Sequence, residues 1–145
     1  MPKESYKILI VDDSPVMQKM TTKIFQNDGY QVLSAWDGQE CLEKVKSRRP
    51  DAVLMDVILP DVDGKDIARQ LMEEPGNKEM AIIFTTNTLS LKKDKGNEAF
   101  RINGYLYRAF AKPLHYGKIT SVVRKEINRC KSGGRLSPKI QDGKK

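Results

Sequence analysis

Lys7-Ile8-Leu9-Ile10-Val11-Asp12-Asp13-Ser14-Pro15 is the stretch that decides the fold. The apolar run from Ile8 to Val11 suits a strand buried on both faces, which is the mark of a parallel sheet. The run stops at two aspartates. Ser14 then reads as a helix N-cap, with Pro15 at the first helical position. Val16, Met20, Ile24 and Phe25 follow at helical spacing, and Asp28-Gly29 closes the helix.

The same alternation repeats along the chain. Gln31 to Ala35 reads as a second strand, and Asp37-Gly38 leads into a helix with Cys41, Leu42 and Val45 on one face. Arg48-Arg49-Pro50 ends it. Ala52 to Met55 is a third strand ending at Asp56, followed by a loop with Pro60, Asp61, Asp63 and Gly64. Ile67, Ala68, Leu71 and Met72 mark a third helix. Met80 to Phe84 is a fourth strand, running into Thr85-Thr86-Asn87. The polar segment 88–103 is expected to hold a short helix, and Tyr105 to Ala111 a fifth strand. Tyr116 to Cys130 is a last helix with Ile119, Val122, Val123 and Ile127 on its apolar face. Residues 131–145 lack periodicity and read as a basic, flexible tail. Five strands alternating with five helices predict an α/β fold, a doubly wound parallel sheet covered on both faces.

The 145 residues suffice for one domain. No apolar run is long enough for a membrane span, and the first residues carry no secretory signal. Two cysteines, Cys41 and Cys130, are too few for a zinc site or a disulfide framework and are expected to pack in the core. A reduced, cytoplasmic setting follows as the expectation. The formal charge of +7 is unevenly spread. Residues 1–91 carry 11 basic and 15 acidic side chains, whereas residues 92–130 carry 10 and 3. An acidic first part argues against a uniformly basic nucleic-acid binder, and no recognised nucleic-acid motif is present. The basic second part predicts an acidic downstream partner, and leaves nucleic acid as the less favoured one.

In parallel α/β sheets, ligands bind outside the carboxyl ends of the strands. Asp12, Asp13, Asp56, Thr86 and Lys112 fall at or just after the ends of four different strands, so the fold gathers them. Three clustered carboxylates repel, and a hard dication such as Mg²⁺, with Mn²⁺ as a substitute, relieves the repulsion. A carboxylate nucleophile, a dication, a lysine and a threonine hydroxyl suit phosphoryl transfer. No glycine-rich phosphate loop follows the first strand, which excludes a P-loop or dinucleotide site.

With these motifs in order, the sequence resembles the receiver domains of two-component response regulators, of the stand-alone chemotaxis-regulator type. Asp12-Asp13, Asp56 with Pro60 and Gly64, Thr86, and Lys112-Pro113 carry the resemblance, together with the 30-residue interval from Asp56 to Thr86. It implies a receiver domain over residues 1–130 and a flavodoxin-like strand order 2-1-3-4-5. It implies that Asp56 accepts phosphate from a sensor histidine kinase or histidine phosphotransfer protein. It further implies that Asp13, Asp56 and the Ile58 carbonyl hold Mg²⁺, with Asp12 acting largely through water, and that Thr86 and Lys112 contact the phosphoryl oxygens. The protein would then be a signalling switch with slow autodephosphorylation, not a multiple-turnover enzyme. Ending shortly after its last helix, the sequence would act through partner binding rather than through a fused output module.

Two features depart from the family. The interval from Thr86 to Lys112 is longer than usual, so the segment around the fourth helix or fifth strand is expected to be rebuilt. Ala109 stands where the family places its switch aromatic, which leaves Tyr107 and Phe110 as substitutes beside Thr86. A phosphatase of the haloacid-dehalogenase type would need an aspartate two residues after the nucleophile, and that position is Ile58. A basic interaction module with weak or no phospho-switching remains the alternative.

Overall fold

The computed structural model describes residues 5–86, 99–102, 105–112, 114 and 116–133. In chain order the elements are β1 (Lys7–Val11), α1 (Pro15–Asn27), β2 (Gln31–Ala35), α2 (Gly38–Arg48), β3 (Ala52–Asp56) and α3 (Gly64–Met72). A short 3-10 turn at Pro75–Asn77 leads to β4 (Ala81–Thr86), β5 (Ala99–Ile102), β6 (Tyr105–Ala111) and α4 (Tyr116–Lys131).

The sheet order is β2-β1-β3-β4-β6-β5. Its first five members are parallel and follow the expected order, with β6 in the place of the fifth strand. β3 and β4 are buried at every position, as strands covered on both faces must be. Side chains alternate between two cores. One holds Leu9, Val11, Val53, Met55, Ile82, Phe84, Tyr107 and Ala109, and is covered by α2 and α3 through Cys41, Val45, Ile67 and Leu71. The other holds Ile8, Ile10, Leu54, Ile83 and Phe110 beneath Phe25 of α1 and Ile119, Val123 and Ile127 of α4. Cys41 and Cys130 are buried in different cores.

Two expectations need correction. The sheet has a sixth strand beyond the five expected: residues 99–102 form β5, which runs antiparallel to β6 with Ile102 opposite Tyr105, while the short helix expected within 88–103 falls mainly on residues outside the described ones. Only Asn103-Gly104 lies between these partners, and Asn-Gly is the dipeptide that two-residue hairpin loops favour. Ile102 is buried in the α2/α3 core, so β5 adds an antiparallel edge to the parallel sheet. Residues 87–98, including Asn87, lie outside the described residues.

The buried face of α1 also differs. Gln18, Thr21 and Phe25 are buried, while Val16 and Met20 are 64% and 48% exposed. Apolar spacing misplaces this face because the Gln18 amide finds backbone carbonyls that an apolar side chain could not satisfy. The capping residues read from sequence are in place. Ser14 Oγ accepts from Met17 N–H at 3.2 Å, and Asp37 accepts from Glu40 N–H at 2.8 Å.

Candidate functional site

Parallel strands end together, so the loops after β1, β3, β4 and β6 meet at one rim of the sheet. Asp12 follows β1 and is 4% exposed, while Asp13 beside it faces solvent. Asp56 ends β3 and is 7% exposed. One carboxylate oxygen from each of the three lies within 4.8 Å of the others. Lys112 directly follows β6, and its Nζ donates to Asp12 Oδ2 at 2.7 Å and to Asp56 Oδ2 at 2.9 Å. The lysine side chain is 6% exposed, so these are buried ion pairs.

The backbone around Asp56 is tightly folded. Ile58 N–H donates to Asp56 Oδ1 at 3.1 Å, and Gly64 N–H donates to the Val57 carbonyl at 2.6 Å. A Cβ on Gly64 would lie 2.4 Å from the Asp56 carbonyl oxygen. Glycine is therefore the residue that lets α3 start against the strand that ends in Asp56. The same loop is tied to α2. Asp61 accepts from the N–H groups of Gly38 at 2.8 Å and Gln39 at 3.1 Å, which holds its carboxyl below the usual carboxylate range. Sequence reading placed Asp61 only in a loop and missed this cross-loop cap.

Charge in the cleft is unevenly balanced. Burial pushes the Asp56 carboxyl above its ordinary range, and the nearby Asp12 charge adds to the push. Hydrogen bonds from Lys112 and Ile58 and the lysine charge work against it without overcoming it. For Lys112, burial opposes the charged form, but the bonds and charges of Asp12 and Asp56 outweigh it. The ammonium therefore stays charged. One lysine faces three carboxylates, so the site has room for further positive charge. All three donors are hard oxygens, the set a Mg²⁺ or Mn²⁺ ion takes, and the residues fit such an ion. A cavity of about 240 Å³ opens beside them, lined by Asp13, Asp56, Ile58, Leu59 and Pro60. A wider cleft of about 550 Å³ at the amino ends of β1 and β2 is lined by Tyr6, Tyr30 and Arg124 and by none of these carboxylates. Size alone does not select the site.

Thr86 ends β4 and is 1% exposed. Its carbonyl accepts from Lys112 N–H at 2.9 Å, fastening the threonine and lysine strands together. The three switch candidates separate by face. Tyr107 and Ala109 lie in the α2/α3 core, where Tyr107 meets Phe84 edge to face at 6.0 Å between centroids. Phe110 lies in the opposite core, against α4. Pro113 and His115 lie outside the described residues. Val16, Trp36 and Ile58, which follow the ends of β1, β2 and β3, are 64%, 42% and 69% exposed, large apolar side chains that the core does not use.

Comparison with known proteins agrees with this geometry. The alkaline phosphatase synthesis transcriptional regulatory protein PhoP of Bacillus subtilis is 25% identical over 123 residues, 82% of this chain and 49% of that protein. The chain spans about half the length of several curated relatives it matches. Among solved structures, a putative response regulator from Chloroflexus aurantiacus superposes with a TM-score of 0.72 at 27% identity, covering 87% of this chain and 100% of that one. The receiver domain of sensor histidine kinase PA1611 from Pseudomonas aeruginosa, determined with a magnesium ion in its active-site cleft, superposes with a TM-score of 0.70 at 25% identity, covering 86% and 99%. The family model for the response regulator receiver domain matches residues 8–124, and with the carboxylate cleft at the expected strand ends, the chain belongs to that family.

Proposed function

We propose that this protein is a phospho-accepting switch in which Asp56 takes a phosphoryl group from a phosphohistidine of a sensor histidine kinase or histidine phosphotransfer protein. The observation that carries the reading is the convergence of Asp12, Asp13 and Asp56 within 4.8 Å, with Lys112 bridging two of them. An Asp56 oxygen attacks phosphorus, a P–O bond forms as the donor's P–N bond breaks, and the histidine leaves as a neutral imidazole after taking up a proton. Asp13, Asp56 and the Ile58 carbonyl are the groups that would hold Mg²⁺, with Asp12 behind water. When bound, the ion would neutralise the carboxylates and the incoming phosphoryl oxygens. The similar PA1611 receiver domain holds magnesium in its own cleft, which supports this assignment. Lys112 supplies a fixed positive charge to the phosphoryl oxygens, and the Thr86 hydroxyl supplies a hydrogen bond.

The exposed Val16, Met20, Trp36 and Ile58 offer an apolar rim on which the donor protein can dock. Ile58, two residues after the acceptor, gives no side-chain hydrogen bond to an attacking water, so the acyl phosphate should decay slowly. Output then passes to a downstream partner. The basic balance of residues 92–130 favours an acidic one, with Lys92, Lys93 and Lys95 outside the described residues. Among the described residues no helix is long and apolar enough to cross a membrane. A cytoplasmic location is part of this proposal.

The test is phosphorylation by acetyl phosphate, followed by intact mass. One phosphoryl group should be gained with Mg²⁺, and none in excess EDTA or in Asp56→Asn. Equal modification under all three conditions would overturn the reading in favour of an interaction module without a phospho-switch.

A further inference from the structure

Gln18 is 5% exposed, and its position in α1 places it under the cleft rather than in it. Its amide Nε2 lies 3.0 Å from the Ile10 carbonyl, 3.0 Å from the Asp12 carbonyl and 2.8 Å from the Ala35 carbonyl. Two N–H groups are thus shared among three acceptors at the carboxyl ends of β1 and β2. The amide oxygen Oε1 is buried and has no hydrogen-bond partner among the described residues. Leaving such an oxygen unpaired forfeits its hydration without return. Methionine would fill a similar volume without that cost. The fold bears the cost at the junction where the metal-binding aspartates begin.

We propose that Gln18 is a positioning residue that sets Asp13 for the dication; this rests on the phosphoacceptor reading above. The two aspartates are held in different ways. Asp12 is fixed through its side chain, since Oδ1 accepts from Ser14 N–H at 2.9 Å and Oδ2 from Lys112. Its N–H is also held, by the Ala35 carbonyl at 3.1 Å. Asp13 has an exposed side chain, so its aim depends on the backbone that carries it. The Asp12 carbonyl gripped by Gln18 and the Asp13 N–H belong to one planar peptide unit. Holding the first fixes the plane from which Asp13 extends. By gripping Ala35 as well, Gln18 ties this peptide to the end of β2. Because it is neutral, it does so without altering the charge of the carboxylate cluster.

The experiment is calorimetric titration of Mg²⁺ into the full chain, well below its melting temperature. Wild type, Gln18→Met, Asp13→Asn and the double variant are compared. Gln18→Met should bind Mg²⁺ about tenfold more weakly, the scale of supporting-shell losses at metal sites. The double variant should bind no more weakly than Asp13→Asn alone. Gln18→Asn, which keeps the amide but withdraws it, should behave like Gln18→Met and serves if that variant fails to fold. Ile127→Val, a mild core change in the α1/α4 core, should leave the affinity unaltered and controls for lost stability. If wild type binds and Gln18→Met binds as tightly, the positioning role is overturned. Equal losses with and without Asp13 would overturn it too, by showing general loosening. If wild type itself does not bind Mg²⁺, the phosphoacceptor reading fails and takes this inference with it.

Discussion

The two faces of the sheet are built differently. The face under α1 and α4 is closed by helices and large side chains, with Phe25 meeting Tyr30 edge to face at 5.1 Å and Phe110 set among Ile119 and Val123. The face under α2 and α3 relies on close backbone approach. A Cβ on Gly38 would lie 2.4 Å from Val62 Cγ1, and one on Gly64 would meet the Asp56 backbone. Ala109, at 0% exposure, packs there beside Phe84 and Tyr107, and β5 extends the edge of this face. Phe84, two residues before Thr86, also faces this side. If Asp56 is phosphorylated as proposed, the change is expected to reach the α2/α3 core first, because Thr86 shares the side of β4 that Phe84 presents to it.

The comparison is broken most directly by paired substitutions, one on each face. Phe110→Ala removes a buried ring from the α1/α4 core and should cost about 3–5 kcal/mol in a denaturant melt. Its Mg²⁺ affinity should be unchanged. Gly64→Ala forces a Cβ against the Asp56 backbone and should cost less, about 2 kcal/mol. It should nevertheless weaken Mg²⁺ binding measurably. If affinity instead tracks stability across the two variants, the faces do not divide the labour in this way.

Much of this was legible in the sequence, and for a physical reason. Asp12, Asp13, Asp56, Thr86 and Lys112 sit where strongly apolar strands stop. Parallel topology sends all such ends to one rim, so local pattern determines a long-range meeting. What pattern could not show was polar burial and non-local pairing. Gln18 is buried for the sake of three carbonyls from two strands, which no helical periodicity encodes, and Val16 and Met20 pointed the reading to the wrong side of α1. β5 is short and is held by its partner β6. Asn103-Gly104 is the one sequence signal for it, and its flanks are too mixed to read as strands alone. Asp61 makes its bonds to residues 22 and 23 positions away, beyond the reach of any capping pattern.

A finer test concerns the α2/α3 face itself, where Tyr107 and Ala109 share one core. If Tyr107 occupies the room that an aromatic at 109 would need, Ala109→Tyr should overpack and cost about 1–3 kcal/mol. Combining it with Tyr107→Ala should cost less than the two singles added, by about 1 kcal/mol or more. Denaturant melts of the four proteins give this coupling directly. Strict additivity would mean that the two positions draw on separate space, and that Tyr107 does not stand in for the missing aromatic beside Thr86.

The smallest expected effect is a titration. Cys41 is buried in the α2/α3 core, and burial, helped by the negative Asp61 on the loop after β3, pushes its thiol up to about 12. In the unfolded chain a cysteine ionises near ~8.5. A raised native value means the folded state keeps the proton longer. The stability this represents is fully present below pH ~8.5 and is lost as pH climbs toward about 12. Other groups also titrate there, so the comparison is with Cys41→Ala, which lacks the thiol. The gap between wild type and variant should narrow by about 1 kcal/mol between pH 8 and pH 9.5, at ~1.4 kcal/mol per unit once the unfolded thiol ionises. A gap that stays constant with pH would show that Cys41 ionises in the folded protein as freely as in the unfolded one. The α2/α3 core would then be wetter than its packing implies.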